Sequence, residues 1–324
     1  MIRVYVGTYT SSIHVYQLDP ATVSLTLVHT QGDVPKPSYL TMARNGQTLY
    51  ATNELVDGGG VSAFAVDTAT GALRFLNRVA SGGADPAHLS VDPTGGWLLV
   101  ANYTGGTIAA LPINSDGSLG EASDIVRHSG SGPHRTRQQG PHPHMIVTDP
   151  NGEFVLVPDL GVDAVLAYKL EAGRLIAQPE RGGHLPAGAG PRHLAFAAGG
   201  QYAFVINELE STIAVFAYSN GLLTQQQIIS TLPDQFKGEN TTAAIVVHPT
   251  GSFVYSSNRG HDSVAAFSID SQGAVAVTPL GQTPTGGRAP RDIAIDPSGA
   301  FLLAANQNSD TITTFRIDSR SGTS

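Results

Sequence analysis

The chain has 324 residues and a formal net charge of −8, with charged side chains at only 14%, 37 Gly, 20 Pro and no Cys. It carries no basic tract, which argues against nucleic acid as a partner; without Cys it has no disulfide, thiolate metal site or Cys nucleophile. No apolar run approaches the roughly 20 residues of a membrane-spanning helix, so no membrane association is expected.

The opening Met1-Ile2-Arg3-Val4-Tyr5-Val6 reads as a strand. It lacks the charged n-region and long apolar h-region of a secretory leader, so a cytoplasmic protein is expected. Residues 13–16 and 25–27 read as two further strands. From Pro37 onward, six stretches align without a gap on one template: a Pro, a Gly nine residues later and an Asn seven residues after that. They are Pro37-Gly46-Asn53, Pro86-Gly95-Asn102, Pro143-Gly152-Asp159, Pro191-Gly200-Asn207, Thr242-Gly251-Asn258 and Pro290-Gly299-Asn306, with Thr242 and Asp159 the only departures.

Each stretch holds a strand after the Pro, a turn such as Asp92-Pro93-Thr94-Gly95, and a strand before the Asn. Pro presets the turn's φ and Gly tolerates its positive-φ position, so these are hairpins. A third strand follows each Asn, as at residues 107–111 and 212–216, and a less regular fourth follows a turn, as at Gly71-Ala72-Leu73 or Gly117-Ser118-Leu119. Four antiparallel strands recurring about every 50 residues make β-propeller blades. The N-terminal strands supply a further copy that lacks its first strand, and the last copy ends after its third. The expected fold is therefore an all-β, seven-bladed propeller of four-stranded antiparallel blades, one domain over residues 1–324. Its closing strands are incomplete at the C-terminus, which predicts exposed sheet edges there.

The template also makes equivalent positions comparable. The innermost strand runs along the central channel and the next runs back, so the residue after Pro and the residue after Asn are expected on one face. The first slot reads Ser38, Ala87, His144, Arg192, Ala243 and Arg291; the second reads Glu54, Tyr103, Leu160, Glu208, Arg259 and Gln307. Anchors that barely vary beside slots that do point to function in the slots. One mouth is thus expected to gather His144, Arg192, Arg291, Glu208 and Arg259 with Glu54 and Tyr103, and His88 and His193 one position further along. The alternative, solvated loop charges, would contribute little. The anchor Asn residues are expected to cap turns.

One interval is longer than the rest and carries His128, His134 and the run Gln138-Gln139-Gly140-Pro141-His142-Pro143-His144, leading into the His144 strand. Loops that depart from a rigid scaffold often carry function. His142 and His144 share a face by strand period alone, and no carboxylate or Cys accompanies them at local ligand spacing, so no metal is assigned. Several Arg with few acids favour a small anionic ligand, because guanidinium recognises carboxylate or phosphate bidentately. A His beside them can act as general base or acid, and a Glu can orient it or move a proton.

Tyr5-Val6-Gly7-Thr8-Tyr9, Pro141-His142-Pro143-His144, Gly190-Pro191-Arg192-His193, Asn207-Glu208-Leu209 and Ser257-Asn258-Arg259-Gly260-His261-Asp262-Ser263 resemble signatures of the lactonase-type seven-bladed propeller family. That family includes bacterial 6-phosphogluconolactonases and fungal 3-carboxy-cis,cis-muconate lactonising enzymes. The resemblance implies a catalytic set of His144, Arg192, Glu208 and Arg259; the slots and the long interval add Arg291, His142, His193, Glu54 and Tyr103 as expected substrate contacts, and no cofactor is expected. It departs at Ala244, where members commonly carry an acid, and at the C-terminal closing strands. It implies a hydrolase opening 6-phospho-D-glucono-1,5-lactone, with lactonisation of a carboxylated muconate or a non-catalytic binding propeller as the competing readings; a monomer is expected.

Overall fold

A computed structural model describes residues 2–270 and 276–323. Among these residues there is no helix, and the strands form seven antiparallel sheets in which sequence neighbours pair, with Gly183–His184 also pairing Ala164–Glu171 as a fifth strand of its sheet. The sheets are the seven blades of the expected propeller. The first holds Ile2–Val6, Ile13–Asp19 and Ser24–Gln31, and the last holds Pro290–Ile295, Phe301–Asn306 and Thr311–Arg316, each three strands. Two compact units divide the chain: Met1–Val162 with Leu166–Pro179, and Asp163–Val165 with Glu180–Ser324.

The template residues act as their chemistry dictates. All six template glycines adopt positive φ, between 69° and 77°. In the turn at Asp92, the carboxylate accepts from the Thr94 amide (3.0 Å) and hydroxyl (2.6 Å) and from the Trp97 amide (2.7 Å), closing the hairpin locally. Asp296 repeats the pattern with Ser298 and Phe301. The anchor Asn side chains are buried and tie the second strand to neighbouring segments: Asn53 donates to the Pro35 carbonyl, Asn102 to that of Ser81 and Asn258 to that of Thr231.

In the first unit, apolar faces of successive blades interlock, as where Tyr50, Val61 and Ala63 meet Leu89, Leu98, Val100 and Leu111. In the second, Phe204, Ile206 and Val215 meet Ile245, Val254 and Phe267. Each fully buried Leu or Phe contributes about 1.5–3 kcal/mol, so these inter-sheet faces dominate the stability of each unit. Tyrosines latch the layers through their hydroxyls: Tyr50 donates to the Gly117 carbonyl (3.0 Å) and Tyr255 to that of Gly322 (2.8 Å). Burial pushes both phenols up to about 12.

Two strand expectations change. The first strand of the fourth blade is only Val147–Thr148, so His144 lies ahead of it, in an extended segment held by the Pro143–Asp159 bridge and the His144 amide donating to Pro158. The outer strand of the third blade is Asp124–Arg127, and Leu119 makes only an isolated bridge to Ile113. Pro112 and Pro143 interrupt ladder donation at these places.

Candidate functional site

The slot after Pro has a structural cause. In the third, fifth, sixth and seventh blades the pairing shifts register immediately after the template position: at Pro86/His88, Pro191/His193, Thr242/Ile245 and Pro290/Asp292. Ala87, Arg192, Ala243 and Arg291 are therefore bulge residues. A bulge leaves a residue outside the ladder and re-aims its side chain. The period-2 pattern gives no sign of this shift, so the sequence located the slot without its reason.

In the second unit, the structure brings Arg192, Glu208 and Arg259 together. Glu208 Oε2 lies 3.1 Å from Arg192 Nε and 2.9 Å from Arg259 Nη2, and the three side chains are 3%, 4% and 14% exposed in the order Arg192, Glu208, Arg259. Backbone carbonyls complete the clamp: Arg192 Nη1 donates to Ala243 (2.6 Å) and Arg259 Nη2 to Thr242 (2.7 Å). The His193 ring nitrogen sits 3.4 Å from Arg192 Nη1. Burial, then repulsion from Arg291 and Arg259, pushes Arg192 down to about 9 while Glu208 and Asp292 oppose the change, so the guanidinium stays protonated at neutrality. These are desolvated cationic donors fixed in place, unlike solvated loop charges. Such donors stabilise a developing oxyanion more strongly than donors in water do.

In the first unit a second cluster forms around Tyr103. His142 stacks on its ring (4.5 Å, 19°) and His144 meets it edge-on (5.3 Å, 68°). His142 Nδ1 donates to the Tyr103 carbonyl (3.0 Å), and Arg137 Nη2, from the long interval, donates to its hydroxyl (3.0 Å). Arg137 escaped the sequence reading because it lies outside the template. Glu54 accepts from the Tyr9 hydroxyl at 3.0 and 3.2 Å. His88 and His193 are buried, at 2% and 6% exposure, and do not present open surface. Among the described residues, no three His, Asp or Glu side chains converge as a metal-binding group.

Asp159, the one acid among the anchors, explains itself through the long interval. Its Oδ2 lies 2.6 Å from His128 Nδ1, and its Oδ1 accepts from the His142 (2.7 Å) and Gly161 (2.9 Å) amides. His128 and Asp159 are both sealed from solvent, and the imidazole stacks on Tyr168 (5.9 Å, 9°). Gly161 permits this contact, since a Cβ there would collide with the Gly140 carbonyl. The pair thus holds the backbone that carries His142 and His144. Asp159→Asn is expected to lower the unfolding free energy by about 1.5–3 kcal/mol, the range for bonds to charged groups. Urea titration checks it, with His128→Thr/Asp159→Asn recovering part of the loss by restoring the Asn–Thr pairing seen at Asn258 and Thr231.

The model of the family described as "Lactonase, 7-bladed beta-propeller" matches residues 3–323. A 6-phosphogluconolactonase of Bacillus subtilis is 37% identical over 273 residues, covering 82% of this chain and 77% of that protein. A second, from Formosa agariphila, is 32% identical over 306 residues, covering 90% and 85%. Among solved structures, the periplasmic gluconolactonase of Pseudomonas aeruginosa superposes with a TM-score of 0.93 at 32% identity, covering 99% of this chain and 93% of that one.

Proposed function

Since the chain belongs to the lactonase family of seven-bladed β-propellers, we propose that it hydrolyses 6-phospho-D-glucono-1,5-lactone to 6-phosphogluconate. The observation that carries this reading is the buried Arg192–Glu208–Arg259 clamp. Glu208 divides its charge between two guanidiniums, so it serves better as their anchor than as a proton carrier. Arg192 and Arg259 then stabilise the oxyanion formed when water adds to the lactone carbonyl. His144 takes the proton from that water and returns it to the ring oxygen as the C–O bond breaks, leaving the open acid. Arg291 flanks the anion, His193 backs Arg192 from the protein side, and Tyr103, His142 and Glu54 hold the sugar hydroxyls. In this reading the protein works as a cytoplasmic monomer on a small anionic lactone, without a cofactor.

The gluconolactonase of Pseudomonas aeruginosa favours one second reading, an unphosphorylated gluconolactone as substrate. Purified protein offered each lactone, with acid release followed above spontaneous hydrolysis, separates them. The phosphorylated lactone is expected to show the higher kcat/KM. No excess rate with either substrate, or rates untouched in His144→Ala and Arg192→Ala, would rule out the proposal.

A further inference from the structure

The chain carries 26 Asp and Glu and a net charge of −8, yet between Asp124 and Asp149 it holds no acid. That stretch contains Arg127, Arg135, Arg137 and four of the 11 histidines. It includes the long interval, which folds back on Tyr103 through Arg137 and His142 and so gathers this cationic character in one place.

The turn that carries Arg137 is locked from within. Gln138 is sealed from solvent: its Nε2 donates to the Leu160 carbonyl (2.9 Å), its Oε1 accepts from the His134 amide (3.0 Å), and its own amide donates to the His134 carbonyl (2.9 Å). The Gly132 amide donates to the Gln138 carbonyl (3.0 Å), and a Cβ at Gly132 would collide with the Gln138 side chain. This turn sets Arg137 half-buried, with Nη2 at 3.0 Å from the Tyr103 hydroxyl. The Arg137 amide donates to His134 Nδ1 (3.2 Å), so the neutral imidazole carries its proton on Nε2 as a further donor on the same turn. Arg127 Nη1 donates to the Gly105 carbonyl (3.0 Å), which puts another cation beside the turn that follows Tyr103. Asp159, the carboxylate bonded to this segment, is sealed from solvent and engaged with His128 and the His142 and Gly161 amides.

We infer that Arg137 binds the phosphate group of a phosphorylated lactone and so determines how strongly the site prefers that substrate over a neutral lactone. A guanidinium presents five N–H donors in a planar fork, so a bond to a tyrosine hydroxyl is compatible with a bidentate grip on phosphate oxygens. One phenol ring separates this guanidinium, at its hydroxyl end, from His142 on its face and His144 at its edge. A hexose ring has a comparable span, so a lactone whose carbonyl meets His144 reaches Arg137 with a phosphate carried on its far side. The internal bonds of Gln138 fix the turn before any ligand arrives, which limits the ordering cost of binding.

The inference deepens the proposed function and rests on it for the substrate's identity, so its first test needs no turnover. Calorimetric titration of the full chain with inorganic phosphate is expected to show binding that Arg137→Gln weakens about 10- to 100-fold, the scale of a hydrogen bond to a charged group. Arg137→Lys should recover part of that loss, because it keeps the charge without the fork. The second test is the ratio of kcat/KM for the phosphorylated lactone to that for unphosphorylated gluconolactone, which should fall by a similar factor in Arg137→Gln. If Arg137 served only to hold Tyr103 or the turn, both substrates would suffer together and the ratio would stand. A wild type that does not bind phosphate, or an Arg137→Gln variant that binds it like wild type, would overturn the inference. Phosphate binding that depends on Arg137 beside an unchanged ratio would mean a site for the free ion and would overturn the specificity role. Lactone turnover with phosphate binding indifferent to Arg137 fails this inference alone; Arg137-dependent phosphate binding with no turnover of either lactone fails the proposed reaction alone.

Discussion

Replacing Glu208 with Ala should lower the unfolding free energy by about 3–5 kcal/mol, the scale for removing one partner of a buried ion pair. The side chain is 4% exposed and its Oε2 serves Arg192 and Arg259 together. Without it, two guanidiniums would face each other in low dielectric, and burial already disfavours the charge on Arg192. The carbonyls of Ala243 and Thr242 would remain as acceptors, but neither carries a neutralising charge. Urea-induced unfolding followed by circular dichroism measures the effect. Glu208→Gln should fall between Ala and wild type, since it keeps an acceptor and loses the charge. Glu208→Ala/Arg192→Met should be less destabilised than Glu208→Ala alone, because it removes a stranded cation and fills its space. A loss under about 1 kcal/mol in the single variant would mean that the clamp is solvated.

His144→Ala should reduce kcat on the phosphorylated lactone by about 10²–10⁴-fold, the usual contribution of a positioned general base. Stability should change far less. The ring meets Tyr103 edge-on, and such aromatic pairs contribute roughly 0.5–1.5 kcal/mol. The distinguishing readout is the pH–rate profile: the limb that reports an ionising base should disappear in the variant while KM changes little. An unchanged kcat would remove His144 from the chemistry and leave it a packing residue beside Tyr103.

The fold was legible because its causes are local. Pro presets a turn, Gly accepts positive φ, and Asp92 or Asp296 closes its hairpin within five residues. Such devices repeat wherever the sequence repeats, so a single chain displays them several times over. The slots beside the anchors were legible for the opposite reason: identical scaffolding made their differences visible, and Arg192, Glu208 and Arg259 stood out before any contact was known. What those residues do to one another was not legible. Arg192 and Arg259 meet at Glu208 from different blades. His128 reaches Asp159 across 31 residues, and the slip that separates Arg291 from Asp292 leaves no mark on period-2 alternation. The sequence by itself determined the blade, its repetition and the positions free to vary. Only the tertiary structure decided which charges are paired and which are buried. The physical reason is that turn and strand geometry depend on nearest neighbours along the chain, whereas desolvation and charge pairing depend on groups that packing brings together from afar.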